Sequence, residues 1–257
     1  MIFLRSLLFN LCFFAWALLS SMMFAPLFIL SARAAQHAGA PWARSSLWLA
    51  RVILGIRHEL RGREYLADGP FIYACKHQSA WETIIFLTLF QRPAYILKRE
   101  LLRLPFWGWY LWRMKMIAID RSAGGSSIKH MLRQAKEALA DQRPIVIFPE
   151  GTRKAPGAPP AYHPGILALY SQMNVPVIPI ALNSGLFWGK NAFFKRPGTI
   201  VIEFLPPIAP GLDKREFMQR LQADIETASQ RLLEEGRKNH QENPCAHPDE
   251  NQTNFAG

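Results

Sequence analysis

A histidine and a carboxylate stand five positions apart in a short polar segment of the chain. Residues 76–82 read KHQSAWE, which contains His77 and Glu82. A carboxylate that holds one ring nitrogen of a histidine fixes the other nitrogen as a general base. The same residues also have a structural interpretation, because Ser79 and Glu82 form the S-x-x-E pattern of a capping box, which predicts a helix starting at Ser79. Spacing alone leaves both interpretations open.

A second candidate group is the sequence FPEGTR at 148–153, at the end of the apolar, β-branched run PIVIF. Ligands of α/β proteins bind at the carboxyl ends of strands. A glycine such as Gly151 lets a ligand approach the backbone, and the guanidinium of Arg153 matches the geometry of phosphate oxygens. The alternative is a tight turn in which Glu150 and Arg153 are simply solvated.

Two basic sites frame a tryptophan-rich segment between these groups. Lys98 precedes the sequence LPFWGW at 104–109, and Arg121 follows it. This arrangement suits a phosphate head beside an acyl tail, or a surface that contacts a membrane. The tryptophans are also compatible with a place in the core.

The three cysteines, Cys12, Cys75 and Cys245, show no C-x-x-C spacing, which argues against a disulfide framework. Cys75 lies two residues before His77, so we considered a Cys–His nucleophile pair. Its apolar surroundings, FIYAC, favour a small buried hydrophobe instead. No cluster has the spacing of metal ligands, so no metal is expected.

Short apolar, β-branched runs alternate with helical or loop stretches from about residue 60. This alternation predicts an α/β domain at 59–237, with a mostly parallel central sheet flanked by helices. The residues after Arg237 have little to bury, which predicts a disordered tail at 238–257. The predicted strands lie at 71–75, 94–97, 115–119, 144–148, 175–182 and 199–205, and two helical faces lie at 128–139 and 217–232.

The first part of the chain carries an apolar segment, because the 27 residues from Ser6 to Ala32 include no charge. A helix needs about 20 apolar residues to cross a bilayer. The run is much longer than the apolar region of a signal peptide, about 7–15 residues. We therefore predict a membrane anchor. Pro26 leaves open whether it is a spanning helix or a hairpin in one leaflet.

Four arginines follow this segment and alternate with apolar and aromatic residues such as Trp42 and Trp48. The pattern predicts an interfacial helix, although an ordinary surface helix has the same pattern. Together with the apolar segment, this helix forms the predicted anchor at 1–58. Arginines after an apolar run place the remaining chain on the cytoplasmic side. The formal net charge of +11 then indicates an anionic membrane surface. No groove-reading or stacking motif favours nucleic acid. The arginines are Arg33, Arg44, Arg51 and Arg57.

Taken in order, these motifs resemble the glycerolipid acyltransferase family, which includes the lysophosphatidate acyltransferases of phospholipid synthesis. The matching segments are HQSAWE, the basic block at 98–121, FPEGTR and VPVIPIAL, and together they span roughly residues 60 to 205. The chain departs from the family at two positions. The family usually has aspartate where Glu82 stands and asparagine where Lys76 stands.

The resemblance implies a 1-acylglycerol-3-phosphate O-acyltransferase seated on the cytoplasmic side of the cell inner membrane. It would transfer a fatty acyl group to the sn-2 hydroxyl of lysophosphatidate, with His77 as the base and Glu82 as its support. The donor would be a thioester of acyl-carrier protein or coenzyme A, and no cofactor is implied. The residues implied in substrate binding are Lys98, Arg121, Glu150, Gly151, Thr152 and Arg153.

Two other functions remain open at this point. Acylation of another lyso-lipid, such as a lyso-ornithine lipid, would need no phosphate site. A catalytically silent membrane-binding scaffold would use the basic surface alone. The intact set of His77, Glu82 and FPEGTR argues against a silent protein.

Overall fold

The computed structural model describes residues 1–28, 31–66, 69–105, 107–120 and 124–242. Within these ranges, seven strands form one sheet with helices packed on both faces. The strands are β1 (Ile56–Arg61), β2 (Ile72–Cys75), β3 (Ala94–Lys98), β4 (Ile117–Ile119), β5 (Ile145–Ile147), β6 (Val177–Leu182) and β7 (Gly198–Phe204). The helices are α1 (Ile2–Phe24), α2 (Ala32–Leu49), α3 (Trp81–Leu89), α4 (Trp107–Arg113), α5 (Gly124–Ala140), α6 (Gly165–Met173) and α7 (Lys214–Glu242).

The strands follow the order β1-β7-β6-β2-β5-β3-β4 across the sheet. Every neighbouring pair is parallel except β6 and β7, which are antiparallel. The predicted mostly parallel sheet with flanking helices is therefore confirmed. The central strand β2 lies between β6 and β5, and all of its residues are buried.

Alternation along β2 divides the core into two layers, because successive side chains of a strand point to opposite faces. Tyr73 and Cys75 belong to the cluster that contains side chains of α1, α2 and α3. Ile72 and Ala74 belong to the other cluster, formed with α5, α6 and α7. An apolar run without polar interruption, as in β2, is what a strand covered on both faces requires.

The six predicted strand segments coincide with β2 to β7 to within two residues at each end, whereas β1 was not predicted. Its residues IRHELR are mostly charged, and Arg57, His58 and Glu59 are exposed on this edge strand. Because β1 pairs with β7 from Ile56 onward, Arg57 belongs to the sheet and not to an interfacial helix. The predicted anchor at 1–58 therefore extends too far into the domain.

The other predicted boundary also shifts. Helix α7 continues to Glu242, so residues 238–242 of the predicted tail are helical. The rest of that tail, 243–257, lies outside the described residues. The helix can extend because its buried positions, such as Leu221 and Ile225, hold its earlier turns firmly on the sheet.

Helices α1 and α2 form a hairpin that packs along the domain. Helix α1 is long and apolar enough to cross a membrane, with a mean hydropathy of 1.9. One face of it is buried, and the Ser6 hydroxyl accepts a hydrogen bond from the Lys195 backbone N–H at 3.0 Å. Near its other end, the Ser21 carbonyl accepts a hydrogen bond from the Tyr110 hydroxyl. The helix is thus attached to the domain over about 22 Å, at 1.5 Å per residue.

Candidate active site

Three neighbouring parallel strands end at the same edge of the sheet, and each is followed by residues of the candidate site. His77 follows β2, the sequence FPEGTR at 148–153 starts directly after β5, and Ser184 lies two residues beyond β6. Because β2 is hydrogen-bonded to both neighbours, the three connections meet above the centre of the sheet. Open α/β sheets bind their ligands in the crevice at this edge, so the region above the carboxyl ends of β5, β2 and β6 is the candidate substrate site, called the groove below.

The two residues of the predicted pair are in direct contact. His77 Nδ1 lies 2.9 Å from Glu82 Oε1, and the Glu82 side chain is fully buried whereas that of His77 is 14 % exposed. An ionised carboxylate can only accept hydrogen bonds, so the fitting tautomer carries its proton on Nδ1. The ring also stacks on Phe148, with centroids 3.9 Å apart. Nε2 is thereby left as the nitrogen that can take up a proton.

Glu82 is held by three further donors. Its Oε1 accepts hydrogen bonds from the backbone N–H groups of Gln78 and Ser79 at 2.7 and 2.6 Å. Its Oε2 accepts one from the Ser184 hydroxyl at 2.8 Å. Four donors converging on one buried carboxylate fix its position, and with it the orientation of the His77 ring.

The capping interpretation of Glu82 is correct in part. Helix α3 begins at Trp81, so the predicted start at Ser79 is two residues too early. The Ser79 hydroxyl accepts a hydrogen bond from the Trp81 N–H at 3.0 Å. The Glu82 carboxylate in turn accepts one from the Ser79 N–H, as a capping box requires. Capping and support of His77 are therefore not alternatives, because the same carboxylate does both.

Ser184 is a site residue that we did not identify from the sequence. It stands two positions after the apolar run VPVIPIAL at 175–182, as the second residue of the polar pair Asn183 and Ser184. A parallel strand beside β2 brings such a residue to the same edge as His77. A polar residue after a predicted strand is visible in the sequence. Recognising it as a site residue, however, requires the order of the strands in the sheet, which a local sequence pattern does not contain.

The FPEGTR segment forms a sharp turn that is tied to the histidine strand. Gly151 has a φ of +62°, in the left-handed region that favours glycine. The backbone N–H of Lys154 donates to the His77 carbonyl at 2.8 Å. Thr152 and Arg153 are half-buried, and Arg153 makes no hydrogen bond or ion pair with any described residue. A guanidinium without a partner among the described residues suits an anionic ligand.

Glu150 occupies a different place from the one we predicted. Its side chain is only 1 % exposed, and its Oε1 lies 3.0 Å from the Lys76 ammonium. Burial raises the pKa of the Glu150 carboxyl, and the Lys76 ammonium opposes this rise. The carboxylate is thus buried and paired with Lys76 rather than solvated, and its predicted part in substrate binding stays a prediction.

The remaining predicted binding residues lie farther from His77. Lys98 ends β3, which pairs with β5, and its side chain is exposed at the same edge of the sheet. Two strand spacings separate it from β2, about 10 Å. Arg121 lies outside the described residues. Trp109 and Trp112 of α4 are 58 % and 67 % exposed, so neither belongs to the core.

Cys75 does not form a nucleophile pair with His77. The thiol is fully buried among core side chains and donates to the Lys76 carbonyl at 3.0 Å. Burial raises the pKa of the thiol well above its ordinary value, which disfavours the reactive thiolate. No group of three or more potential metal ligands occurs in the described part of the chain. That no metal takes part stays a prediction.

Comparisons with known proteins agree with the motifs. A family model described as Acyltransferase matches residues 57–183. The 1-acyl-sn-glycerol-3-phosphate acyltransferase of Pseudomonas aeruginosa is 41% identical over 186 residues, which cover 71% of this chain and 72% of that protein. The mouse 1-acyl-sn-glycerol-3-phosphate acyltransferase alpha is 32% identical over 62% of this chain and 58% of its own length.

A solved structure has the same fold. The 1-acyl-sn-glycerophosphate (LPA) acyltransferase from Thermotoga maritima superposes with a TM-score of 0.74, covering 90% of this chain and 98% of its own. Sequence identity over this superposition is 20%, so the likeness concerns the fold.

Proposed function

The chain belongs to the acyltransferase family of the 1-acyl-sn-glycerol-3-phosphate acyltransferases, and on that premise we propose that it acylates the sn-2 hydroxyl of lysophosphatidate. The donor is an acyl thioester of acyl-carrier protein or coenzyme A, and the product is phosphatidate. One observation carries the proposal. The His77–Glu82 pair, 2.9 Å apart, lies at the same sheet edge as a guanidinium that has no partner among the described residues.

The chemistry needs one proton acceptor and no covalent intermediate, because a thioester is already an activated acyl group. His77 Nε2 removes the proton from the acceptor hydroxyl as its oxygen attacks the thioester carbonyl. Glu82 stabilises the imidazolium that forms. The tetrahedral intermediate then expels the thiolate, which takes the proton from His77. An ester and a free thiol result, and the histidine returns to its neutral form.

Arg153 is the first candidate for the acceptor's phosphate. It directly precedes Lys154, whose backbone N–H donates to the His77 carbonyl, so its backbone is held near the strand that carries the base. Its guanidinium offers two parallel donors to phosphate oxygens. Lys98, exposed at the same edge of the sheet, would add positive charge farther along the groove. Arg121, which lies outside the described residues, stays a candidate from the sequence alone.

The acceptor is a lipid, and α1 supplies a surface that fits a membrane. A helix attached to a polar domain near both of its ends cannot carry that stretch alone across the hydrocarbon layer. The hairpin in one leaflet is therefore favoured over a spanning helix. Beyond the exposed Arg5 near its start, the exposed face of α1 is largely apolar. Its exposed side chains include Leu4, Leu8, Leu11, Phe14 and Leu18.

Aromatic side chains extend this surface at both ends of α1. Phe193 and Phe194 contact the ring of Phe3, with centroids 5.6 and 6.4 Å apart. At the other end, α4 contributes the exposed Trp109 and Trp112. Aromatic rings of this kind favour the headgroup region. Exposed arginines on α2 favour the cytoplasmic leaflet of the cell inner membrane.

The proposal is tested with purified protein in anionic vesicles, using both thioester donors and two acceptors, lysophosphatidate and a lyso-ornithine lipid. We expect phosphatidate from lysophosphatidate, and His77→Ala should lower turnover at least about 10²-fold. His130→Ala is the matched control, because His130 is exposed on α5. A preference for the ornithine lipid would refute the phosphate assignment, and no turnover with either acceptor would indicate a scaffold.

A further inference from the structure

A buried lysine lies directly beneath the candidate site. The Lys76 side chain is only 2 % exposed, and its Nζ lies 3.0 Å from Glu150 Oε1 and 2.8 Å from each carboxylate oxygen of Glu226. The Tyr162 hydroxyl donates to Glu226 Oε1 at 3.0 Å. We call Lys76, Glu150, Glu226 and Tyr162 the buried charge cluster. It joins the end of β2, the FPEGTR turn, α7 and the segment before α6.

Acyl transfer does not explain this cluster. The Lys76 ammonium is too deeply buried to contact a substrate in the groove. Burying a lysine has a large desolvation cost unless carboxylates surround it. An ammonium has three donors, and here all of them have acceptors on elements distant in the sequence. The attraction between the ammonium and the two carboxylates offsets the desolvation cost, and the same contacts join those elements.

The residues beside the cluster are the ones that would perform the reaction. Lys76 directly precedes His77, and Glu150 stands three residues before Arg153. We propose that Lys76 is a positioning residue, whose ammonium holds the FPEGTR turn against the His77 strand and so sets where Arg153 meets the acceptor's phosphate. This role deepens the proposed function and rests on it.

The anchor for this arrangement is α7. Leu221, five residues before Glu226, and Ile225, one residue before it, are fully buried in the core. Glu226 therefore cannot follow a movement of the turn. The FPEGTR turn bends at Gly151, and it is fixed on one side by Glu150 and on the other by the Lys154 N–H bond to the His77 carbonyl. Removing the ammonium weakens the first of these two attachments, because Glu150 then keeps only the hydrogen bond from the His77 backbone N–H.

Lys76→Met tests the role, since methionine has a similar length and no charge. We expect the KM for lysophosphatidate to rise roughly 10- to 100-fold, the scale of a misplaced binding group. The KM for the donor should stay within about twofold. Because Lys76 acts through Arg153, the double variant Lys76→Met/Arg153→Ala should be no worse for the acceptor than Arg153→Ala alone.

A destabilised protein could also lose activity, so a matched control is needed. Arg143 is another buried cation, but it lies before β5, at the opposite edge of the sheet. It donates to four backbone carbonyls, those of Arg92, Pro93, Met114 and Lys115. Arg143→Lys should lower the melting temperature without changing the acceptor KM, because the lost bonds are remote from the groove.

A second readout does not depend on any substrate. In Lys76→Met, Glu150 keeps the backbone N–H of His77 as a hydrogen-bond donor and keeps Glu226 nearby, but its carboxylate has lost the ammonium that opposes its burial. Such a carboxyl binds a proton more readily in the folded protein than in the unfolded one, and stability then falls as pH rises. The melting temperature should be lower than the parent's by roughly 10 °C at pH 8, and the difference should shrink toward pH 5.

If Lys76→Met does not fold, Glu226→Gln removes one partner more gently, because Glu226 is 26 % exposed. Glu226→Gln should also raise the acceptor KM, by a smaller factor than Lys76→Met. An unchanged acceptor KM in the folded variants, or a loss in the double variant equal to the product of the single losses, would overturn the positioning role. If the parent does not acylate lysophosphatidate, the proposed function fails, while the melting curves still test the cluster.

Discussion

Glu82→Gln separates the charge of the carboxylate from its hydrogen bonds. Glutamine keeps one oxygen, which can still accept from the Gln78 and Ser79 N–H groups and from His77 Nδ1. Its amide nitrogen replaces Oε2 and faces the Ser184 hydroxyl, which can rotate and accept. The contacts survive, and what disappears is the negative charge beside the ring.

The expected effect on turnover follows from that charge. Two unit charges about 4 Å apart attract by about 4 kcal/mol at an effective dielectric constant of 20. This stabilisation acts on the imidazolium that forms as His77 takes up the proton. Since 1.36 kcal/mol corresponds to a factor of ten, turnover should fall by about 10³-fold.

The expected effect on stability is much smaller. Replacing charged acceptors by a neutral one weakens the bonds from the Gln78 and Ser79 N–H groups by about 1 kcal/mol each, and removing a buried charge offsets part of this loss. A net cost of about 1–2 kcal/mol lowers the melting temperature by roughly 2–8 °C for a protein of this size. The variant should therefore be folded and nearly inactive.

Turnover per folded molecule and a melting curve, measured on the same sample, check this prediction. Ser79→Ala is the control, because it removes the acceptor of the Trp81 N–H, at a cost of about 1 kcal/mol, and leaves the carboxylate in place. Glu82→Asp keeps the charge at a shorter reach, so it should fold and be more active than Glu82→Gln. Near-normal turnover in Glu82→Gln would refute the reasoning.

Three further predictions concern the groove and the membrane. Arg153→Ala should raise the acceptor KM strongly and Arg153→Lys should restore it only in part, because lysine lacks the bidentate fork; equal effects on donor and acceptor would contradict the phosphate assignment. Ser184→Ala leaves one buried oxygen of Glu82 without its donor, so it should cost about 1–3 kcal/mol of stability, and a melting curve identical to the parent's would count against the contact. Washing membranes with high salt or carbonate should not release the protein, because insertion of residues 1–33 is insensitive to screening, and release by salt alone would show an electrostatic attachment.

Local patterns predicted most of the sheet because β2 to β7 are short apolar runs whose character is visible in a few residues. Strand β1 is different, since its charged sequence becomes a strand only through pairing with β7, more than a hundred residues later. The same distinction holds at the site. The pairing of His77 with Glu82 follows from a short local spacing, whereas Ser184 and Glu226 arrive through strand order and through α7.

The position of Glu150 shows a second limit of sequence reasoning. A glutamate in a turn is ordinarily solvated, and nothing within FPEGTR indicates that this one is buried. The burial depends on Lys76, seventy-four positions earlier, and on a helix near the end of the chain. When a cation and an anion lie in separate motifs, the sequence around either one does not indicate that they form an ion pair.

The attachment of α1 to the domain has a consequence for the order of events during synthesis. Ser6 and Lys195 are 189 positions apart, so α1 leaves the ribosome well before its binding surface exists. At about 5–20 residues per second, the delay is roughly 10–40 s. During this interval both faces of α1, including the rings of Phe9 and Phe13 that end up in the core, need shielding from water. On the proposed membrane association, a bilayer would provide this shielding, and the domain would then fold onto a helix that is already in place. Deleting α1 to obtain a water-soluble enzyme would remove part of the core, and the product should aggregate.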